Sequence, residues 1–142
     1  MPNALERSAH LAAIETVLTH GQLVMGPEVE ELESAIAREC GREYAVAVGS
    51  GTDALYLALR ALDLGPGEEV ITTPLSWIAT ANAIRLTGAR AVFADIDEDL
   101  NIDPESIEPL VNNQTRAIVA VDYTGRPCDF DALETLAQDH GL

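Results

Sequence analysis

The chain has 142 residues, 47% of them apolar, which is enough for a packed core in one domain or in a part of a larger one. A formal net charge of −16, with eight scattered arginines and no lysine, excludes a basic surface that could hold nucleic acid. No apolar run reaches bilayer length, and Met1-Pro2-Asn3-Ala4-Leu5-Glu6 has neither the basic nor the apolar stretch of a leader, so a cytoplasmic protein without membrane contact is expected.

Leu5 to Leu18 places apolar residues at helical spacing and stops at His20-Gly21. Pro27 opens a second helix at its first turn, with Val29, Leu32, Ile36 and Cys40 on one face and Gly41 closing it. Short apolar runs then begin near Tyr44, Val70, Ala91 and Ala117. Each is followed by a helical pattern: Thr52 to Leu62, Ser76 to Leu86, Pro104 to Val111 and Phe130 to Asp139. Runs that are mostly apolar, and not alternating, predict a parallel sheet with helices on both faces, an α/β fold. Gly141 reads as the stop of the last helix and Leu142 as the first residue of another strand. The expectation is therefore an incomplete sheet, the N-terminal part of a longer protein. The acids are spread along the chain as a solvated surface, open to adaptation to high salt. Cys40 and Cys128 form no CxxC and are expected to be packed free thiols.

The stretch Tyr44 to Leu59 carries the strongest chemical signal. Tyr44-Ala45-Val46-Ala47-Val48 reads as a strand, Gly49-Ser50-Gly51-Thr52 as a tight turn, and Asp53-Ala54-Leu55 as a helix start. Such a turn aims free backbone N–H groups at one point, where the helix dipole adds positive charge, and this suits a phosphate. The turn also fits the loose dinucleotide pattern G-x-G-x-x-[GA]. That reading wants an acid about 20 residues on, at the end of the next strand. Val70-Ile71-Thr72-Thr73-Pro74 ends without one, and Glu68 and Glu69 precede the strand. A tight strand-to-helix connection with no ligand remains open. Trp77, the only tryptophan, follows the second strand at the end where open α/β sheets hold ligands. It could stack on a flat aromatic ligand, or be an ordinary half-buried or interface residue.

Several ordered motifs are more specific than the turn alone. Gly26-Pro27-Glu28-Val29, Val48-Gly49-Ser50-Gly51-Thr52-Asp53-Ala54-Leu55 and Gly65-Pro66-Gly67-Glu68-Glu69-Val70-Ile71-Thr72-Thr73-Pro74 resemble the DegT family of sugar aminotransferases. Ala79-Thr80-Ala81-Asn82-Ala83-Ile84, Asp95-Ile96-Asp97 with Asn101-Ile102-Asp103-Pro104, and Thr115-Arg116-Ala117-Ile118 continue the same pattern, from about Gly21 to Leu142. The resemblance implies pyridoxal 5'-phosphate, a homodimer, and the N-terminal part of the large domain of a type I aminotransferase fold. It implies residues 1–24 as an N-terminal helix and arm and 25–142 as part of the cofactor-binding domain. It implies Gly51, Thr52 and Asp53 as the phosphate cradle, through backbone N–H groups and the Thr52 hydroxyl. Trp77 is implied as the ring-stacking residue, and Asn82 as a further cofactor-side residue. The chain departs from the pattern at Asp122, where the family commonly shows a histidine, so substrate contacts there are not carried over.

The family transfers an amino group from an amino acid, with glutamate the expected donor, to a nucleotide-linked keto sugar or related cyclitol. That chemistry needs a lysine to form a Schiff base and move a proton, and an Asp against the pyridine nitrogen. In the family both follow the point where Leu142 stands. This chain has no lysine, so no catalytic residue is assigned and inactivity of the chain by itself is expected. A stand-alone Rossmann-like nucleotide- or phosphate-binding module is the rival reading. Asp95-Ile96-Asp97-Glu98-Asp99 opens like a calcium loop but has Leu100 where glycine is needed and Ser106 where glutamate is needed, so it reads as a solvated turn. His10, His20 and His140 share no ligand spacing, and no metal is expected.

Overall fold

Local signals in the chain explain most helix ends in the computed structural model, which describes residues 3–142. Met1 and Pro2, which open the expected arm 1–24, lie outside the described residues. Contacts divide the chain into two compact units, one through Ala47 and one from Val48 to Leu142.

In the first unit, α1 (Ala4–His20) begins with a capping box. Asn3 Oδ1 accepts from Glu6 N at 2.9 Å, and Glu6 Oε2 accepts from Asn3 N at 2.8 Å. Gly21 ends the helix in the left-handed region at φ 76°. The second helix, α2 (Pro27–Glu39), has proline in its first turn. Gly26, its N-cap, is buried: a Cβ there would stand 2.8 Å from Gln22 O and 2.9 Å from Glu28 Oε2. His20 Nε2 and Glu28 Oε1 lie 2.9 Å apart, and this hydrogen bond is the first cause holding the Glu28 carboxyl below its usual range.

The expected first strand is not a strand. Tyr44 to Val48 is extended but joins no ladder. Its β-forming composition is a preference, and a strand also requires a neighbour to take its backbone hydrogen bonds. Among the described residues the segment finds only a carboxylate: Ala47 N donates to Glu33 Oε1 at 2.7 Å.

The second unit is the expected α/β layer. It runs α3 (Gly51–Ala61), β1 (Glu69–Thr72), α4 (Ala79–Thr87), β2 (Arg90–Phe93), α5 (Pro104–Ile107), β3 (Thr115–Val119) and α6 (Phe130–His140). The strands are parallel in the order β2-β1-β3, with Val70 opposite both Ala91 and Ala117. Both faces are covered. Val70 and Ala117 pack with Leu59, Ala83 and Ile84 of α3 and α4. Ile71 packs on the other side with Ile102, Ile107, Cys128 and Leu133, from α5, α6 and their loops. Alternate residues of a strand point to opposite faces, so the adjacent apolar residues Val70 and Ile71 of β1 enter different cores.

Two helices are shorter than their patterns predict. The fourth starts at Ala79, not at Ser76, whose hydroxyl pairs with Thr80 Oγ1 at 2.8 Å. The fifth ends at Ile107 and continues to Leu110 only as a 3-10 turn, because Pro109 has no N–H for another α-helical bond. Of the cysteines, Cys128 is packed as expected, while Cys40 is exposed. Burial, then the Asp122 carboxylate, push the Cys128 thiol up from its ordinary range. Among the described residues no helix is long and apolar enough to cross a membrane, and no group of acidic, histidine or cysteine residues is placed to hold a metal ion.

Candidate functional site

The turn before α3 closes through its own side chains. Ser50 is extended at φ −161°, ψ 162°, and its Oγ accepts from Asp53 N at 3.1 Å while its hydroxyl donates to Asp53 Oδ2 at 2.8 Å. Ala54 N returns to Ser50 O at 3.0 Å. These bonds use the third and fourth donors of the helix start. The Gly51 and Thr52 N–H groups find no acceptor among the described residues. Space is open in front of them, since a Cβ on Gly51 would meet nothing within 4 Å. The helix is 11 residues long, so its dipole adds positive charge at this end. Two unengaged donors at an open helix start fit an anionic group. Asp53 fits it less directly, because its N–H is already capped by Ser50.

Trp77 lies in the loop after β1 and is 80% exposed. The loop itself is tied down: Thr73, nearly fully buried, accepts from Leu75 N at 3.1 Å through its hydroxyl. The ring is thus an uncovered aromatic face on a fixed base. The chain leaves β1 toward α4 on one face of the sheet and leaves β3 toward α6 on the other. Neighbouring strands whose exits diverge leave a crevice at their C-terminal ends, where ligands bind in open α/β sheets. The loops carrying Trp77 and Asp122 both open there. Asn82 stands apart. It is exposed and lines an open groove of about 660 Å³ between α4 and β2, with Ile78, Arg85, Arg90 and Phe93, and neither the cradle nor Trp77 contributes to that groove.

Asp122 is spent on its own loop, accepting from Cys128 N at 3.0 Å. Sequence reasoning missed the residue that organises this loop. Asn101 is 2% exposed, and its Nδ2 donates to Arg126 O at 3.1 Å and Pro127 O at 3.0 Å while its Oδ1 accepts from Tyr123 N at 3.0 Å. One side chain therefore joins the loop after β2 to the loop after β3. In the sequence it stands in the family-like motif Asn101-Ile102-Asp103-Pro104, but nothing local reveals partners more than 20 residues away. The acidic stretch before it forms a hydrogen-bonded turn, with Asp97 Oδ1 accepting from Asp99 N at 2.8 Å and Asn101 N at 3.2 Å.

At the other end of the sheet, Glu69 is buried against the exposed Arg90 side chain, to which it is ion-paired. Its Oε2 accepts from Asn112 Nδ2 at 2.9 Å. That hydrogen bond, then Arg90, hold the Glu69 carboxyl below its usual range against the opposing effect of burial. A lowered carboxylate pKa adds stability above the unfolded value of about 4.3, and this is lost as pH falls through the folded pKa. Glu69→Gln keeps an acceptor for Asn112 and removes the charge. Urea melts are expected to show a deficit of about 1–3 kcal/mol at neutral pH that shrinks toward zero in acid. A deficit independent of pH would remove the charge from the explanation.

This parallel sheet, covered on both faces by helices, has the type I fold of the pyridoxal-phosphate-dependent aminotransferases. The chain belongs to the DegT/DnrJ/EryC1/StrS aminotransferase family, which matches it over residues 5–142. It is 50% identical over 130 residues to the spore coat polysaccharide biosynthesis protein SpsC of Bacillus subtilis, a match covering 91% of this chain and 33% of SpsC. The structure of S. venezuelae DesV in complex with a ketimine intermediate superposes with a TM-score of 0.92 at 44% identity, over 96% of this chain and 37% of DesV. That of NtdA from Bacillus subtilis with bound cofactor PMP gives 0.93 at 32% identity, over 99% of this chain and 32% of NtdA. The chain thus spans about a third of the length of the relatives it matches.

Proposed function

We propose that this chain carries the phosphate cradle and the ring-stacking face of a pyridoxal 5'-phosphate site in a sugar aminotransferase. The observation that carries the reading is the pair of unengaged N–H groups on Gly51 and Thr52 at the open start of α3. In this reading they hold the phosphate with the Thr52 hydroxyl, Asp53 keeps the turn closed through Ser50, and Trp77 lies against the ring. Asn82 is the outlying member of the set. When bound, the cofactor supplies the electron sink for amino-group transfer. The substrate we propose is a nucleotide-linked keto sugar or related cyclitol, with glutamate as donor, in a cytoplasmic homodimer. A sugar substrate is supported by family membership and by the polysaccharide role in the name of SpsC.

Gly51→Pro separates binding from folding. Proline is favoured in a first helical turn, where its missing N–H costs no intrahelical bond, and extended Ser50 suits the position before it. The variant is expected to melt no lower than the parent while losing one charge-assisted donor. Quenching of Trp77, the only tryptophan, by pyridoxal phosphate reads the result directly. The expected outcome is affinity lowered by about tenfold or more, with pyridoxal lacking the phosphate binding weakly to both proteins. Equal binding of pyridoxal and its phosphate would end the reading, and quenching by NAD in place of pyridoxal phosphate would favour a dinucleotide module.

A further inference from the structure

The loop after β1 ends against a rule of helix chemistry. Serine is among the preferred N-cap residues and isoleucine among the poorest, yet α4 passes over Ser76 and starts at Ala79, with Ile78 as an N-cap that makes no side-chain bond. The Ser76 hydroxyl is paired with the Thr80 hydroxyl, 2.8 Å away. A helical threonine commonly turns its hydroxyl back to the carbonyl four residues earlier; here it meets the side chain of that residue. Thr80 is buried and sits at the start of the helix whose Ala83 and Ile84 pack fully buried on the sheet. Its N–H donates to Trp77 O at 3.1 Å. Trp77 is therefore bracketed: the residue before it is tied to Thr80 through side chains, and its own carbonyl is tied to Thr80 through the backbone. The other hydroxyls of this stretch are also spent on fixing it. Thr72 Oγ1 donates to Val119 O of β3 at 2.8 Å, and Thr73 Oγ1 accepts from Leu75 N. The Ser76–Thr80 pair is formed within the loop and its own helix, so it does not depend on what covers the indole.

We propose that Ser76 and Thr80 are positioning residues for Trp77, a hydroxyl latch that fixes the backbone from which the indole meets the cofactor ring. The inference rests on the reading of Trp77 as the ring-stacking residue and adds the groups that hold it ready. Aromatic contacts are directional, so a ring on a wandering backbone must be ordered when its partner binds. Ordering it beforehand removes that cost from the affinity. With the latch open, Ser76 is free to cap a helix lengthened at its start, and Trp77 becomes a first-turn residue with its side chain turned about the helix axis. The latch thus acts on the ring half of cofactor recognition. The phosphate half, at Gly51 and Thr52, is shaped by Ser50 and Asp53 and shares none of these bonds.

Trp77 is the only tryptophan, so its emission reports on this one ring. Ser76→Ala removes one oxygen from a half-buried site, Thr80→Val replaces the partner hydroxyl by a methyl, and Ser76→Thr keeps the hydroxyl. Without cofactor, Ser76→Ala and Thr80→Val are each expected to enlarge the fast component of the Trp77 anisotropy decay. With pyridoxal phosphate, each is expected to weaken binding, read by quenching, about two- to tenfold, the net worth of one hydrogen bond. The double variant is expected to be about as weak as either single one, because the same bond is lost only once. Ser76→Thr is expected to restore both readouts. The inhibition constant of inorganic phosphate, competing at the cradle, is expected to stay unchanged in every variant. Binding that Ser76→Ala leaves unchanged, single effects that multiply in the double variant, or a phosphate constant that shifts with them would each overturn the latch. A parent that pyridoxal phosphate does not quench would overturn the cofactor reading itself and this inference with it, so the two failures are told apart.

Discussion

Borohydride reduction of the 142-residue chain in the presence of pyridoxal phosphate is expected to leave no cofactor label on any internal peptide. The reduced bond would have to form at a side-chain amine, and the chain has no lysine. The N-terminal amine is the one other candidate, and mapping the labelled peptides distinguishes it. The same absence predicts loss of transamination: a positioned proton-transfer group alone contributes about 10²–10⁴-fold, and the covalent attachment disappears with it. A polypeptide limited to these residues should bind the cofactor's phosphate through Gly51 and Thr52 yet turn over no amino donor. A labelled internal peptide, or measurable turnover, would show that the cradle serves chemistry by another route.

The second large effect falls on Asn101. Asn101→Ala leaves the carbonyls of Arg126 and Pro127 and the N–H of Tyr123 without their partner. A buried polar group left unpaired costs about 1–3 kcal/mol, and some of these loop groups can turn to water, so a loss of about 2–4 kcal/mol in urea melts is expected. That is a large share of the roughly 5–15 kcal/mol that holds a domain together. Asn101→Asp is the sharper variant. It keeps the acceptor for Tyr123 but turns a carboxylate toward two carbonyl oxygens. Its folded pKa should rise, so its stability should recover as pH falls and the acid becomes a donor. An aspartate variant as stable as the parent at neutral pH would mean that Asn101 does not bind the two loops together.

Helix boundaries were largely legible because the groups that set them are neighbours in sequence. Asn3 with Glu6, Pro27 and Ser50 with Asp53 each satisfy or remove helix-end donors within one turn. Gly21 and Gly141 likewise end helices by a local conformation. The three paired strands were legible because each holds a short apolar run: Val70-Ile71, Ala91-Val92-Phe93 and Ala117-Ile118-Val119. Tyr44–Val48 is also an apolar run and joins no ladder among the described residues, so the run alone could not distinguish a strand from an extended segment.

The candidate site divides along the same line. The proposed cradle lies within one turn of chain: a small flexible pair, a capping serine, an acid and a helix to follow. The family resemblance and the missing lysine are also properties of the chain itself, and they bound its chemistry before any folding is considered. Only the folded arrangement decides that Trp77 is uncovered, that Asp122 is spent on Cys128, and that Asn82 faces a different groove from the cradle. It alone brings Asn101 to the loop after β3 and Glu69 to Asn112. Those pairings join residues more than 20 positions apart, and their geometry comes from sheet order and packing, which no local pattern of side chains encodes.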